Sequence, residues 1–543
     1  MRVVIDLETK SYADLKKVGA WVYSEHPTTD VICACYKIDD QPIQSWQPGQ
    51  SFPLDLKVAI REGAEVEAHN VGFERSIWTN VLAPKYRFHS PAPGQWRDTM
   101  AVACYYGLPA ALDGLLRALG MPGKDPEGTR LITKYSKLYL KTAKPEIPPE
   151  DLKKWIEYCT RDVQAEYEVG NYLGDLPERE LPYFHMSQRV NMRGLLLDLE
   201  GIEAATAIVD QRATELTTEF RALTGVNPTQ LEKAREWFAG QGLRLENMQA
   251  EYLQELIEEA DLPAGPARRA LEIRVQVNKA STKKLDAMAR QRGTDGRARF
   301  QTRYHGASTG RETASGFQVL NMSRGYEDYP PENLVSDIMF RDPKWLDVVY
   351  GDALKAVGKA TRHWIVAASG RKIMSGDFAS IEAVLLACLA GEDWKIDAFR
   401  NKVKIYEHMA DKIYNLTPGT VTKKTHPLER QDGKTGELAF GYQGALSAWL
   451  NFDNSGRHTD ARIIEICKAW RAEHPMTVAY LAGLEAAALE AVRFPGRVTG
   501  YRAIGFETVD DWLTMILPNE KRLWYFRPEL RAVMPQWHKP EVK

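Results

Sequence analysis

Apolar residues recur along this chain with more than one spacing, and the spacing changes at definite points. Val3-Val4-Ile5 make a short apolar run at the start and Val31-Ile32-Cys33-Ala34-Cys35 make another. Runs of this length predict strands. Helical stretches are mixed among them, so residues 1 to about 175 read as an α/β domain. Pro145 to Pro149 is proline-rich and predicts a connector. From Asp151 to Leu173 the apolar residues Leu152, Trp155, Ile156, Cys159 and Val163 fall at helical spacing. Between about 180 and 295 a helical pattern with many charges dominates, broken at Gly194, Gly225, Gly240, Pro263 and Pro266. From about 300 the composition shifts toward Gly, Ser, Thr and aromatics, and Ala383 to Leu389 make an apolar helix-like run. No internal repeat and no low-complexity tail is seen.

The length, 543 residues, exceeds one hydrophobic core and predicts two to four domains. Hydrophobic residues at 44% and charged residues at 27% are ordinary for a soluble globular protein. No stretch approaches 18 uncharged apolar residues, so no membrane partner is expected. The start, Met1-Arg2-Val3-Val4-Ile5-Asp6, lacks the layout of a secretory signal. Of six cysteines only Cys33 and Cys35 lie close in sequence, which predicts small buried hydrophobes in a reducing cytoplasm rather than zinc ligands. The net charge of −2 leaves nucleic-acid binding open, because clustered metal-binding carboxylates offset basic surface in the sum.

Three acidic clusters stand out in the N-terminal part. Asp6 and Glu8 flank Leu7, and in a strand residues i and i+2 share a face. Ala68-His69-Asn70-Val71-Gly72-Phe73-Glu74 follows, and then Tyr158 and Asp162, four apart on one helix face. Each alone reads as surface carboxylates. Their order resembles the proofreading exonucleases of the DEDD type with a tyrosine, whose motifs are D-x-E, N-x-x-x-D and Y-x-x-x-D. Asn70 to Glu74 keeps the spacing but has glutamate for the usual aspartate. The resemblance implies a 3′–5′ exonuclease holding two Mg²⁺ about 3.5–4 Å apart. Asp6 would bridge the ions, with Glu8, Glu74 and Asp162 completing their shells. Tyr158 would orient the attacking water, with Asn70 and Phe73 as supports.

A second constellation begins at Tyr304 to Gly325, rich in small and polar residues around Arg311, which alone reads as a flexible loop. Arg371 to Glu382 predicts a strand delivering Asp377 to its end and then a helix carrying Glu382. Arg430, Lys434, Leu438 and Tyr442 recur every four residues and line one side of a helix. Gly433, Gly436 and Gly441 fit a solvated face badly, since each costs roughly 1 kcal/mol against alanine. They predict a face for close approach of a triphosphate and a base. In this order, behind this exonuclease, the blocks resemble family A DNA polymerases of the bacterial polymerase I type, especially phage-like ones. The resemblance implies that Arg311, with Gln318 and Asn321, meets the primer–template minor groove. Asp377 would bind the polymerase metals and Glu382 would exclude a ribose 2′-hydroxyl. Arg430 and Lys434 would grip the triphosphate, and Tyr442 would stack near the template base. Leu438 replaces the usual aromatic residue, leaving sugar selection open.

The family's H-D-E turn, which carries a second palm aspartate, has no match after Glu382; Leu517 to Leu523 resembles the segment that precedes it. Two explanations stand. Either a second, C-terminal polypeptide supplies the missing palm strands, or the sequence is a fragment. Arg531 to Lys543, rich in proline and charge, suits a connector and favours the split form. The polymerase metal pair would then be incomplete without the partner. The implied architecture is α/β plus α+β multidomain. An RNase H-like exonuclease domain spans 1–175, a helical thumb 176–300 and part of a palm 301–395. Fingers and a connector span 396–543. The expected partners are primer–template DNA and dNTPs in a bacterial or phage-infected cytoplasm. Rival readings are a 3′–5′ exonuclease that has lost synthesis and a non-catalytic DNA-binding scaffold.

Overall fold

The computed structural model describes residues 1–123, 126–259, 264–277, 280–326, 328–453 and 455–531. The chain divides into two compact units, Met1–Ile373 and Met374–Lys543.

The first unit opens on a five-stranded sheet. Strands β1 (Arg2–Lys10), β2 (Asp30–Ile38), β3 (Gln44–Trp46), β4 (Glu65–Ala68) and β5 (Trp96–Asp98) lie in the order β3-β2-β1-β4-β5. The central β1 pairs antiparallel with β2 and parallel with β4. Val3, Ile5 and Leu7 enter the core on one face of the sheet, whereas Val4 enters a second core on the other. Both faces of the strand are covered, which is why its start is an unbroken apolar run. By the same alternation Asp6 and Glu8 follow Val4 onto the second face. The helix Pro149–Leu173 packs there, burying Trp155, Cys159 and Val163 against Val4.

The rest of this unit is mostly helical, as the pattern predicts. Leu181–Arg193, Leu199–Thr224, Leu231–Gly240, Ala250–Glu259, Pro266–Val277 and Ala280–Arg290 are helices. Gly225 ends the second in the left-handed conformation (φ 72°), which glycine adopts without a Cβ penalty. Pro263, read as a break, lies outside the described residues.

In the second unit, helices Ile405–Ile413, Pro427–Phe440, Leu446–Phe452 and Asp460–Glu473 share a core around Met409, Phe440, Trp449 and Trp470. Another core joins helices Ile381–Ala390 and Pro475–Arg493 to an antiparallel sheet. Its strands, Thr499–Tyr501, Ile504–Val509, Trp512–Ile516 and Arg522–Phe526, lie in chain order.

One expectation is corrected here. The strand leading to Asp377 does not form: residues 371–378 are neither helix nor strand and all are exposed. A strand is held by ladder partners, and none of the described strands pairs with this segment. Instead Met374 and Phe378 stand 94% and 80% exposed, as apolar side chains without a sheet to cover them. Of the segment Arg531 to Lys543, all but Arg531 lies outside the described residues.

Candidate active sites

Asp6, Glu8 and Asp162 converge. One carboxylate oxygen from each lies within 4.8 Å of the other two. The strand supplies the first two residues and the Pro149–Leu173 helix the third. Tyr158, one turn before Asp162, is buried and hydrogen-bonded to it. Burial, and then the Asp162 and Glu8 carboxylates, push its hydroxyl far above the usual phenol range, so it stays protonated and able to donate. Gly128, on the helix Pro126–Leu131, lies against the Tyr158 ring, and a Cβ there would overlap ring carbons. No sequence pattern singles out Gly128; only the packing does. A cleft of about 410 Å³ opens beside Glu8, with Tyr23, Phe73, Lys137 and Tyr139 among its walls.

Glu74 is buried on the short helix Gly72–Ile77 but lies outside the close grouping of the other three carboxylates. Asn70 before it sits at φ 72°, a conformation that asparagine tolerates better than most residues. Its N–H donates to Asp98 Oδ1 at 2.9 Å, and the Met100 N–H donates to the same oxygen at 3.0 Å. Burial raises the Asp98 carboxyl to about 6. Asp98 thus fixes the Asn70 turn, and motif reading missed it. Its signal was that of a helix cap, an aspartate just before the helix Thr99–Tyr105. Phe73 packs on the core, its ring 6.2 Å from that of Tyr23, as expected of a support.

Three carboxylates this close repel one another unless a cation stands between them. Hard divalent ions take oxygen ligands at about 2.0–2.6 Å, so the donor set of Asp6, Glu8 and Asp162 fits such ions.

Arg311 is not in a formless loop. Thr302–Arg303 pairs antiparallel with Thr313–Ala314, and Ala307 N–H donates to Arg311 O at 3.1 Å, so Arg311 stands exposed near a hairpin tip. Gln318 and Asn321 flank a turn of 3₁₀ helix, where the Asn321 amide donates to Gln318 Oε1 at 3.4 Å.

In the second unit, Asp377 is exposed in the unpaired segment, and Glu382 lies in the first turn of the helix Ile381–Ala390. Arg430, Lys434 and Leu438 occupy one partly exposed side of the helix Pro427–Phe440. The helix ends before Tyr442, which stands in the following turn; the expected four-residue stripe is therefore helical only as far as Leu438. The glycines need a second correction. Gly433 and Gly436 are buried on the rear, and a Cβ on Gly433 would run into the Tyr406 carbonyl of the helix Ile405–Ile413. Gly433 serves the close approach of two helices and not of a ligand, and Gly436 faces the Phe440 and Trp449 rings. The rear face also carries two buried carboxylates. Asp432 is held by Tyr414, Arg457 and His458, and Glu437 by Lys395, His474 and Trp470. A groove of about 460 Å³ joins Ala379 and Ser380 to Lys402, Lys404, Tyr406 and Arg430.

Among the described residues no helix is long and apolar enough to cross a membrane. No protein-family model matches the chain. The DNA polymerase of Bacillus phage SP02 is 30% identical over 551 aligned residues, covering 97% of this chain and 82% of that protein. The solved polymerase domain of Pol1 from M. smegmatis, in complex with DNA primer-template and dNTP, has a TM-score of 0.59 and 12% identity. It covers 96% of this chain and 78% of that chain, and shows the shared fold. With identity carried along almost the whole sequence, and with the motifs in their order, this chain belongs to the family A DNA polymerases.

Proposed function

We propose that this polymerase is replicative and carries its own 3′–5′ proofreading exonuclease, and that its polymerase metals need a second palm carboxylate besides Asp377. The convergence of Asp6, Glu8 and Asp162 beside Tyr158 carries the exonuclease reading.

In this reading residues 1–175 form the exonuclease, and Asp6, Glu8 and Asp162 hold a pair of Mg²⁺ ions, with Glu74 as a fourth ligand nearby. Bound there, the ions supply positive charge to the attacking and leaving oxygens of an in-line displacement. Tyr158, its hydroxyl proton given to Asp162, offers the phenol oxygen as an acceptor to the attacking water and so orients it. The cleft beside Glu8 takes the 3′-terminal nucleotide, with Phe73 and Tyr139 as its apolar walls.

The polymerase reading assigns 176–300 to the thumb, 301–395 to part of the palm and 396–543 to fingers and connector. Arg311, Gln318 and Asn321 contact the primer–template minor groove. Arg430 and Lys434 meet the triphosphate of the incoming dNTP, supported by the basic groove that includes Lys402 and Lys404. Leu438 and Tyr442 lie toward the sugar and base, Glu382 limits the sugar, and Asp377 contributes the palm carboxylate present in this sequence. The exposed Met374 and Phe378 on either side of Asp377 fit a surface that further palm strands would cover.

The test is degradation of 3′-labelled single-stranded DNA by the chain alone with Mg²⁺. Asp6→Ala should lower the rate by at least about 10²-fold, as removal of a principal electrostatic group does. Absence of degradation by the unaltered chain would sink the exonuclease reading. Efficient primer extension by the chain alone would contradict the need for a second aspartate. If the chain supplied with the remaining palm segment still fails to incorporate nucleotides, an exonuclease that has lost synthesis becomes the better description.

A further inference from the structure

Three cysteines meet directly behind the carboxylate centre. Cys33 and Cys35 lie two apart on β2 and so share a face. They are paired across the sheet with the carboxylate residues themselves, Cys35 opposite Asp6 and Cys33 opposite Glu8. Cys159 reaches them from the Pro149–Leu173 helix, between Tyr158 and Asp162. All three are fully buried, and their sulfur atoms lie within 4.8 Å of one another. The sequence reading of Cys33 and Cys35 as plain hydrophobes did not include this third thiol.

We propose that Cys33, Cys35 and Cys159 form a trithiolate site for one thiophilic cation of the Zn²⁺, Cd²⁺ or Cu⁺ class, separate from the hard-cation centre at Asp6. Metal–sulfur bonds of about 2.3 Å in a trigonal arrangement put the sulfur atoms about 4.0 Å apart, which lies inside the observed spacing. Soft thiolates select such ions over Mg²⁺. The two centres are wired together, because Cys159 Sγ lies 3.5 Å from Asp6 Oδ2 and 3.5 Å from the Asp6 carbonyl oxygen. Cys35 Sγ lies 3.7 Å from Thr160 Oγ1 and 3.8 Å from the Ile156 carbonyl. On loading, each thiol releases its proton to solvent as its metal–sulfur bond forms. Cys159 then has no proton to share with Asp6, and the Asp6 carboxylate loses a neighbour that orients it. Binding stands on the thiol geometry alone; its effect on hydrolysis rests on the exonuclease reading above.

The experiment is a titration of the reduced, metal-free full chain with Cd²⁺, followed to equilibrium because none of the three site thiols is exposed. One equivalent should produce thiolate-to-cadmium charge-transfer absorbance, kept in Asp6→Ala and lost in Cys33→Ser/Cys159→Ser. X-ray absorption at the cadmium edge on the unaltered chain should find three sulfur neighbours and needs no variant to fold. An oxygen-only shell, or absorbance unchanged by the double substitution, would overturn the site. With Mg²⁺ present, one equivalent of Cd²⁺ should slow hydrolysis roughly tenfold, the scale on which partners of metal ligands act. Absorbance without slowing would leave the trithiolate site standing and remove its link to Asp6. An inactive chain that still shows the absorbance would count against the exonuclease reading alone.

Discussion

The Tyr442 hydroxyl donates to Glu382 Oε2 at 2.6 Å. This bond joins the turn after the Arg430–Lys434 helix to the first turn of the Ile381–Ala390 helix, two elements 60 residues apart. It holds the carboxylate assigned to sugar exclusion in one orientation. Tyr442→Phe keeps the ring and removes the donor. Since Tyr442 is 66% exposed, the unfolding free energy should stay within about 0.5 kcal/mol. Ribonucleotide insertion relative to deoxynucleotide insertion should rise several-fold, as the loss of about 1 kcal/mol predicts. Single-turnover insertion by the polymerase checks it; unaltered discrimination would end the positioning role.

Gly128 sets the plane of Tyr158. A methyl group in Gly128→Ala meets the Tyr158 ring, so the ring must shift. Because small misplacements near reacting groups cost roughly 10²-fold in rate, exonuclease activity should fall by about that factor. The overpacking itself should cost about 1–3 kcal/mol. Rate and urea midpoint are measured together, and an unchanged rate in a folded variant would mean Tyr158 does not act.

Asp98 gives a pH signature. Its folded value, about 6, lies above the ordinary aspartate range because of burial. The folded chain therefore keeps a proton that the unfolded chain loses between the two values. This contribution to stability is complete below the unfolded value and disappears as pH rises through about 6. The shift corresponds to at most about 3 kcal/mol. Asp98→Asn keeps an oxygen for the Asn70 and Met100 N–H groups while removing the titration. The difference in unfolding free energy between variant and parent should move in the variant's favour from pH 4 to pH 7. A flat difference would refute it.

Lys395 and Glu437 form a buried ion pair. Lys395→Met should destabilise the chain by about 3–5 kcal/mol, because it takes away the cation facing a carboxylate buried behind the helix. Lys395→Met/Glu437→Leu should recover most of that loss. Denaturant unfolding of both variants decides, and an equal loss in the double variant would place the cost in packing instead.

The parts legible from sequence were those set by local periodicity. β1 and the Pro149–Leu173 helix followed from apolar spacing, and the same spacing put Asp6 with Glu8 and Tyr158 with Asp162. What it could not give were relations between distant elements. Gly128 and Cys159 matter only because the helices carrying them reach Tyr158 and β2. Glu74 keeps its motif spacing yet lies outside the close carboxylate grouping, because the backbone of a short helix and not the spacing decides where it ends. The segment before Asp377 has a strand's composition but no ladder to join. The C-terminal sheet was within reach: Ile504, Phe506 and Thr508 alternate as a half-buried strand does. The rear glycines were misassigned because composition does not say which side of a helix is covered.

Asp432 and Glu437, both buried, fasten the back of the Pro427–Phe440 helix at two places. A rod bolted twice along its spine cannot spin by itself. Any motion that swings Arg430 and Lys434 toward a nucleotide must therefore carry the neighbouring helices as one block. The hinge belongs at the edges of that block, where substitutions should alter the speed of closing without touching the grip.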